Sequence, residues 1–192
     1  MNLNLFQEPN RFFFEKKYNG KSFYIRSMQN CDIEMIHSWV NMPYAHRFWQ
    51  MQGSLKELAD HYFRQKEENR VSTFILCYEL KPIALFEVYQ VLSSELSLKF
   101  EAGVGDYGLH LLMAPHTELL SLKRVISKIS RESLRTILEM LFSFSSVKRV
   151  FAEPDIENTH AHRLAESAGF TFIKDIQLQD KKAKLYVVKK KT

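Results

Sequence analysis

The chain has 192 residues, of which 45% are apolar and 26% charged, with a formal net charge of +5. These values are ordinary for a soluble globular protein and suit one domain with a buried core. No apolar run approaches the ~20 residues of a membrane helix, and the N-terminus lacks the pattern of a signal peptide, so a membrane partner is not expected.

The positive charge is local. Residues 181–192 (KKAKLYVVKKKT) hold six lysines, and the remaining chain has 21 basic and 22 acidic residues. A lysine-flanked terminal strand is typical of a protected sheet edge, so no nucleic-acid partner is predicted. Cys31 and Cys77 have neither metal-ligand nor disulfide spacing, which favours the cytoplasm.

The N-terminal half predicts one strand, two helices and then two strands. Residues 1–20 are predicted to be an N-terminal extension, and residues 21–192 the domain itself. The predicted elements of this half are a strand over 22–26 (SFYIR), a helix capped by Asp32 and ending before Pro43, a helix opened by a Ser54/Glu57 capping box, and strands over 73–79 and 83–91 joined as a hairpin at Leu80-Lys81-Pro82.

The C-terminal half begins with a third consecutive strand. Gly103, Gly105 and Gly108 are expected to loosen the chain before that strand. The elements are a strand over 106–113 (DYGLHLLM), a helix from Ser130, a strand over 148–153, a helix from the N-cap Asn158 to Gly169, and strands over 170–178 and 183–189. The order β-α-α-β-β-β-α-β-α-β-β predicts one α/β (α+β) domain with a mixed sheet.

Four stretches resemble a known family: HSWVNMPYAHRFWQM (37–51), FEVYQV (86–91), GDYGLHLLMAP (105–115) and RVFAEPDIENTHAHRLAESAGF (149–170). In this order and spacing they are similar to the GNAT acyltransferases, and within them to the branch that acylates amines or hydroxylamines in hydroxamate siderophore biosynthesis. The resemblance covers roughly residues 22–190. It implies a mostly antiparallel central sheet flanked by helices, and an acyl group carried by coenzyme A.

The same resemblance implies site residues. His110 matches the proposed catalytic histidine of that branch, and Glu153 matches an acidic residue at the end of the neighbouring strand. Both are candidates for catalysis and for binding the acceptor. Asn158 matches the residue that opens the last helix beside acyl-CoA, and Trp49 matches an aromatic residue that lines the acceptor pocket.

The chemistry of amine acylation fits a histidine. An alkylamine is protonated at pH 7 and must lose a proton before it attacks the thioester. A hydroxylamine nitrogen is far less basic, so a modest base suffices. The unperturbed pKa of about 6.5 gives His110 the right strength, and Glu153 is expected to orient the ring or to hold the acceptor.

Acyl-CoA is the expected co-substrate, with no metal. By the resemblance, backbone N–H groups of Leu111, Leu112 and Met113 hold the thioester carbonyl. The pyrophosphate is assigned to Lys123, Arg124, Ser127, Lys128, Ser130 and Arg131. The aligned stretch Ser127–Ser130 (SKIS) has no glycine, although glycines normally let backbone N–H groups approach phosphate there.

Three functions are compatible with these residues. The first is an acyl-CoA-dependent N-acyltransferase for a lysine- or diamine-derived amine or hydroxylamine, as a monomer or homodimer. The second is an aminoglycoside N-acetyltransferase, for which Glu87, Glu95, Glu101 and Asp106 would supply an acidic cleft. The third is a binding module that has lost acyl-CoA binding, which the glycine-free SKIS stretch favours. Ala165 stands where many GNAT enzymes have a tyrosine that protonates the leaving thiolate.

Overall fold

A computed structural model describes residues 12–18, 20–68, 70–120 and 126–190. Its strands are β1 (Phe12–Tyr18), β2 (Lys21–Ser27), β3 (Val71–Tyr78), β4 (Lys81–Gln90), β5 (Asp106–Met113), β6 (Arg149–Ala152), β7 (Thr171–Gln177) and β8 (Lys182–Lys189). They form one sheet in the order β1-β2-β3-β4-β5-β6-β8-β7. The helices are α1 (Ile33–Val40), α2 (Pro43–His46), α3 (Leu55–Glu68), α4 (His116–Leu119), α5 (Ile126–Ser143) and α6 (Thr159–Ala168).

All seven predicted strands are present, and the structure adds to them. Residues 12–18 of the predicted extension form β1, which pairs antiparallel with β2. The short helices α2 and α4 were not predicted. The hairpin turn lies earlier than predicted: Glu79 adopts a φ of +55° there, and Lys81 and Pro82 already belong to β4.

The predicted start of the long helix at Ser130 is wrong, because α5 begins at Ile126. The stretch from Ser127 to Ser130 contains neither glycine nor proline, so nothing in it stops a helix. Ile129 is fully buried and extends the buried face that continues with Ser133 and Thr136.

The chain divides into two compact units, and the first comprises residues 1–87 and 111–121. In it, β2 pairs antiparallel with both β1 and β3, and α1 packs against α3. The predicted capping box is confirmed, because Ser54 N and Oγ donate to Glu57 Oε2 at 2.8 and 2.7 Å and Glu57 N donates back to Ser54 Oγ.

Asp32 stands at the N-cap of α1 as predicted, but its carboxylate makes other contacts. It accepts two hydrogen bonds of 2.6 Å from the Arg26 guanidinium and one of 2.7 Å from Gln29 N. No cap bond from the Asp32 side chain to α1 forms. The ion pair with β2 replaces it, because a charged two-point contact is stronger than a single cap bond.

The second unit comprises residues 88–110 and 122–192. There β8 pairs antiparallel with β6 and β7, and α5 packs against α6. A buried apolar cluster includes Val91, Leu96, Phe151, Ile176, Leu178, Ala183 and Leu185. Asn158 Oδ1 accepts from Ala161 N at 3.1 Å and Gly169 has a φ of +103°, which confirms both predicted ends of α6.

The pairing of β5 with β6 determines which side chains lie opposite one another on these two strands. The two strands are parallel, with Asp106 opposite Arg149 and Gly108 opposite Phe151. Arg149 holds the buried Asp106 by two hydrogen bonds, Nε to Oδ1 at 2.7 Å and Nη2 to Oδ2 at 2.5 Å. Gly105 precedes this pair with a φ of +98°, and a Cβ there would lie 2.8 Å from Ser146 O.

The ion pair gives a first prediction. Arg149→Met should lower the free energy of unfolding by roughly 2–3 kcal/mol, because it leaves the buried Asp106 carboxylate without its cation. The value lies below the roughly 3–5 kcal/mol typical of a fully buried pair because the Arg149 side chain is 34% exposed. Chemical denaturation followed by circular dichroism measures the change.

Arg163→Met is the matched control, because Arg163 is exposed on α6. Equal losses in the two variants would show that the Arg149–Asp106 pair does not stabilise the strand pairing.

Candidate active site

His110 and Glu153 meet where β5 and β6 diverge. They lie two residues beyond the last backbone pair, Gly108 with Phe151, and keep the same register. His110 Nε2 lies 2.7 Å from Glu153 Oε1. A contact between side chains thus continues the parallel pairing after the backbone pairs end.

Tyr89 on β4 completes the cluster. Its hydroxyl donates to Glu153 Oε1 at 3.0 Å, and its ring lies 5.1 Å from the His110 ring, centroid to centroid. Glu153 Oε1 therefore faces two donors. In the described part of the chain, Glu153 Oε2 is buried and has no hydrogen-bond donor within reach.

The environment of Glu153 keeps its carboxylate ionised. Burial acts to raise its pKa, but the charge of His110, the hydrogen bond with His110, the charge of Lys181 and the hydrogen bond from Tyr89 outweigh burial, so the pKa lies below its ordinary value. An ionised carboxylate only accepts hydrogen bonds, so Nε2 of His110 carries the proton in this contact. Nδ1 is then the basic nitrogen of the neutral ring.

The two side chains differ in accessibility. The His110 side chain is 40% exposed, whereas that of Glu153 is 4% exposed. A molecule arriving from solvent therefore meets the imidazole first, with the carboxylate behind it.

Residues 29–178 match the Acetyltransferase (GNAT) domain family. The chain belongs to the GNAT acetyltransferase family. GNAT enzymes use acetyl-CoA as co-substrate, and the protein is an acyl-CoA-dependent N-acetyltransferase. This agrees with the predicted family, enzyme class and co-substrate.

Two named relatives are acetyltransferases of hydroxylated amines. The N-hydroxyputrescine acetyltransferase of Acinetobacter baumannii is 25% identical over 175 residues, covering 91% of this chain and 81% of that protein. The N(6)-hydroxylysine O-acetyltransferase of Escherichia coli is 24% identical over 155 residues, covering 80% of this chain and 47% of that protein.

Solved structures share the GNAT fold. The aminoglycoside acetyltransferase AAC(6')-Ib in complex with coenzyme A superposes with a TM-score of 0.76 at 23% identity, covering 87% of this chain and 94% of that chain. A Bacillus halodurans protein superposes with a TM-score of 0.83 at 21% identity, covering 92% of this chain and 89% of that chain. The predicted fold class, a mostly antiparallel sheet flanked by helices, is confirmed.

The residues assigned to the thioester form the end of β5. Leu112 is buried, whereas Leu111 and Met113 are half-buried. The Met113 carbonyl accepts from the Tyr44 hydroxyl at 2.8 Å. Burial, with the Glu118 charge second, raises the pKa of Tyr44 to about 12, so this phenol stays protonated and remains a donor.

The residues assigned to the pyrophosphate fall around the start of α5. Lys123 and Arg124 lie outside the described residues. Ser127 and Lys128 belong to the first turn, with side chains that are likewise outside the description. Ser130 and Arg131 follow in the second turn.

Arg131 is only partly available to an anion. Its Nε donates to Glu132 Oε1 at 3.2 Å, and Arg135 lies 3.6 Å from the same oxygen. Asn158, assigned beside acyl-CoA, uses its side-chain oxygen to cap α6.

Trp49 belongs to the first unit, whereas His110 and Glu153 belong to the second. Trp49 is half-buried in the turn after α2, and its side chain interacts with Tyr62. Burial, followed by the Glu87 charge, raises the pKa of Tyr62 well above its ordinary value.

Sequence reasoning missed Tyr89. It lies in FEVYQV, but its partner Glu153 is 64 residues away in the chain, and no local pattern links the two. Gly108 was the one indication in the sequence, because an isolated glycine inside a strand often marks the close approach of another group, here the Tyr89 ring. Gly108 is buried within β5 rather than loosening the chain.

Among the described residues, no group of three or more His, Cys, Asp or Glu is arranged to hold a metal ion. Over the same part of the chain, no helix has the length and apolar character needed to cross a membrane.

The lowered pKa of Glu153 gives a second prediction. A carboxyl group with a lowered folded pKa stabilises the fold above its unfolded pKa, and that stabilisation is lost as the pH falls through the folded value. The unfolding free energy of the wild type should therefore fall more steeply than that of Glu153→Gln between about pH 5 and pH 3.

Urea denaturation at stepped pH measures both profiles, with Asp180→Asn at an exposed position as the control. Parallel profiles for the wild type and Glu153→Gln would contradict this account of Glu153.

Proposed function

We propose that the enzyme acetylates, or acylates with another short chain, a lysine- or diamine-derived amine or hydroxylamine for hydroxamate siderophore biosynthesis. The observation that carries the proposal is an exposed imidazole, His110, backed by the buried and ionised Glu153. The two relatives named for hydroxylated amines support the choice of acceptor. We place the enzyme in the cytoplasm, as a monomer or homodimer.

His110 is the general base in this proposal. With Nε2 donating to Glu153, Nδ1 receives the proton of the acceptor nitrogen during attack. Glu153 stabilises the imidazolium that forms. Because the Glu153 side chain is 4% exposed, we assign its role through His110, as a positioning residue, rather than through contact with the acceptor.

The reaction balances without a further reagent. The acceptor nitrogen forms a bond to the thioester carbon, the C–S bond breaks, and the thiolate of coenzyme A leaves. The nucleophile's proton passes to His110 and then to the thiolate or to solvent. Ala165 supplies no hydroxyl for that last step, and the thiol pKa of about 8.5 makes the thiolate a tolerable leaving group without one.

Acyl-CoA binding is assigned to two backbone segments. N–H groups of residues 111–113 bind the thioester carbonyl and stabilise the oxyanion. The first turn of a helix leaves backbone N–H groups without intrahelical partners, which favours a pyrophosphate at the start of α5, with Lys123, Arg124 and Lys128 adding charge. The role of Trp49 in acceptor binding stays a prediction from the resemblance.

The acidic residues disfavour a polycationic aminoglycoside. Asp106 is buried and neutralised by Arg149. Glu95 pairs with Lys99 at 3.4 Å and accepts from Gln179 N. Glu87 is buried with Tyr62 in its neighbourhood. Three of the four carboxylates assigned to an acidic cleft are thus buried or paired, and the fourth, Glu101, is exposed.

A third prediction tests the activity. The purified enzyme with acetyl-CoA should acetylate N6-hydroxylysine or N-hydroxyputrescine faster than lysine or putrescine, because the hydroxylamine nitrogen is neutral at pH 7. His110→Gln should lower kcat by about 10²- to 10⁴-fold, the usual contribution of a general base. Thiol release followed with a disulfide reagent measures transfer.

His116→Gln, at an exposed position on α4, is the matched control and should keep full activity. Faster acetylation of kanamycin than of either hydroxylamine would replace the siderophore assignment with the aminoglycoside one. Full activity in His110→Gln would exclude the histidine as the base.

A fourth prediction concerns acetyl-CoA binding. Calorimetric titration should give a dissociation constant in the micromolar range, and Lys128→Glu should weaken binding about tenfold through loss of one cation and gain of an anion near the phosphates. Lys174→Glu, exposed on β7, is the control. Equal affinities in the two variants would remove the start of α5 from the binding site.

A further inference from the structure

We propose that Tyr89 is the residue that positions the His110–Glu153 pair, and that position 108 must be glycine because the Tyr89 ring occupies the space of its Cβ. The inference rests on the proposed function in that His110 and Glu153 are taken as the catalytic pair. It adds two positions that no pattern in the sequence assigns to the reaction.

The contact of Tyr89 with Glu153 spans three strands. β5 lies between β4, which carries Tyr89, and β6, which Glu153 follows. Neighbouring strands are about 4.8 Å apart. A side chain from β4 must therefore cross β5 to reach Glu153, the residue that directly follows β6. The Tyr89 hydroxyl nevertheless lies 3.0 Å from Glu153 Oε1.

The Tyr89 side chain crosses β5 at Gly108, which has no side chain in its way. A Cβ built on Gly108 would lie 1.9 Å from Tyr89 Cζ and 2.4 Å from Cε1 and Cε2, where no real contact is tolerated. Gly108 and His110 are two residues apart on β5 and so share a face of the sheet. The Tyr89 ring therefore lies over Gly108 beside the His110 ring, 5.1 Å away.

The hydrogen bonds from Tyr89 and His110 fix the orientation of the Glu153 carboxylate. Glu153 Oε1 accepts from Tyr89 and from His110 at once, so rotation of the carboxylate about its Cγ–Cδ bond would break two charge-assisted hydrogen bonds. Tyr89 thereby holds Oε1 toward the imidazole and keeps Nδ1 as the basic nitrogen. This is a positioning role, because Tyr89 acts on the reaction through Glu153.

The first experiment needs no substrate. The His110 imidazole is followed by NMR as a function of pH in ¹³C/¹⁵N-histidine-labelled protein, with His110→Gln assigning the signal. Tyr89→Phe should raise the titration midpoint of His110, because a carboxylate that has lost one donor holds the imidazolium proton more tightly. Gly108→Ala should also raise the His110 midpoint. The control Gly103→Ala should leave the midpoint unchanged, because a Cβ on Gly103 lies 3.9 Å from its nearest atom.

The second experiment is kinetic. Tyr89→Phe should lower kcat/KM for N6-hydroxylysine about tenfold, the value of one hydrogen bond to a charged group, and shift the acid limb of the pH–rate profile upward. Gly108→Ala combined with Tyr89→Ala should be within about twofold of Tyr89→Ala alone, because the methyl group then has no ring to displace.

The outcomes separate the inference from the proposed function. An unchanged His110 midpoint in Tyr89→Phe, or multiplicative losses in the Gly108→Ala/Tyr89→Ala double variant, would overturn the inference while His110→Gln still tests the chemistry. A wild type that transfers acetyl to none of the hydroxylamines would overturn the proposed function, and the NMR titration would still decide the role of Tyr89.

Discussion

The rest of the site depends on the parallel pairing of β5 with β6. A constant offset of 43 residues relates Asp106 to Arg149 at the start of the pairing and His110 to Glu153 beyond its end. The first pair is a buried two-point ion pair and the second is the candidate catalytic contact. Shifting one strand by a single residue would turn His110 to the opposite face and separate it from Glu153. The ion pair and Gly105 together make that shift costly.

Burial of Glu153 has a cost that its neighbours offset. An ionised carboxylate is stable in a dry environment only when donors and cations compensate for lost water. His110 and Tyr89 donate to Oε1, and Lys181 adds positive charge. The compensation also fixes the tautomer of the imidazole, since an acceptor-only partner requires Nε2 to be protonated. The contacts that hold Glu153 Oε1 therefore also set which imidazole nitrogen of His110 is basic.

Local features were predictable from the sequence and nonlocal ones were not. Asn158, Gly169 and the Ser54–Glu57 capping box follow from rules that span a few residues, and each was found as predicted. His110 and Glu153 became candidates through resemblance, and only the strand register brings them together. Tyr89 depends on contacts across two neighbouring strands, which no periodicity encodes. The start of α5 was misplaced because the prediction opened the helix at Ser130, whereas the preceding residues contain no glycine or proline and continue it back to Ile126.

The arrangement suits an acceptor that is already neutral. A histidine paired with a single carboxylate is a modest base, whereas an alkylamine with a pKa near that of lysine, about 10.4, is almost fully protonated at pH 7. Acting on the alkylamine would require the enzyme to bind its rare neutral form or remove a tightly held proton before attack. A hydroxylamine nitrogen presents its lone pair directly, and the base removes a proton only as the N–C bond forms. Under the proposed function, a histidine base therefore favours a hydroxylamine over an alkylamine, with acylation following hydroxylation.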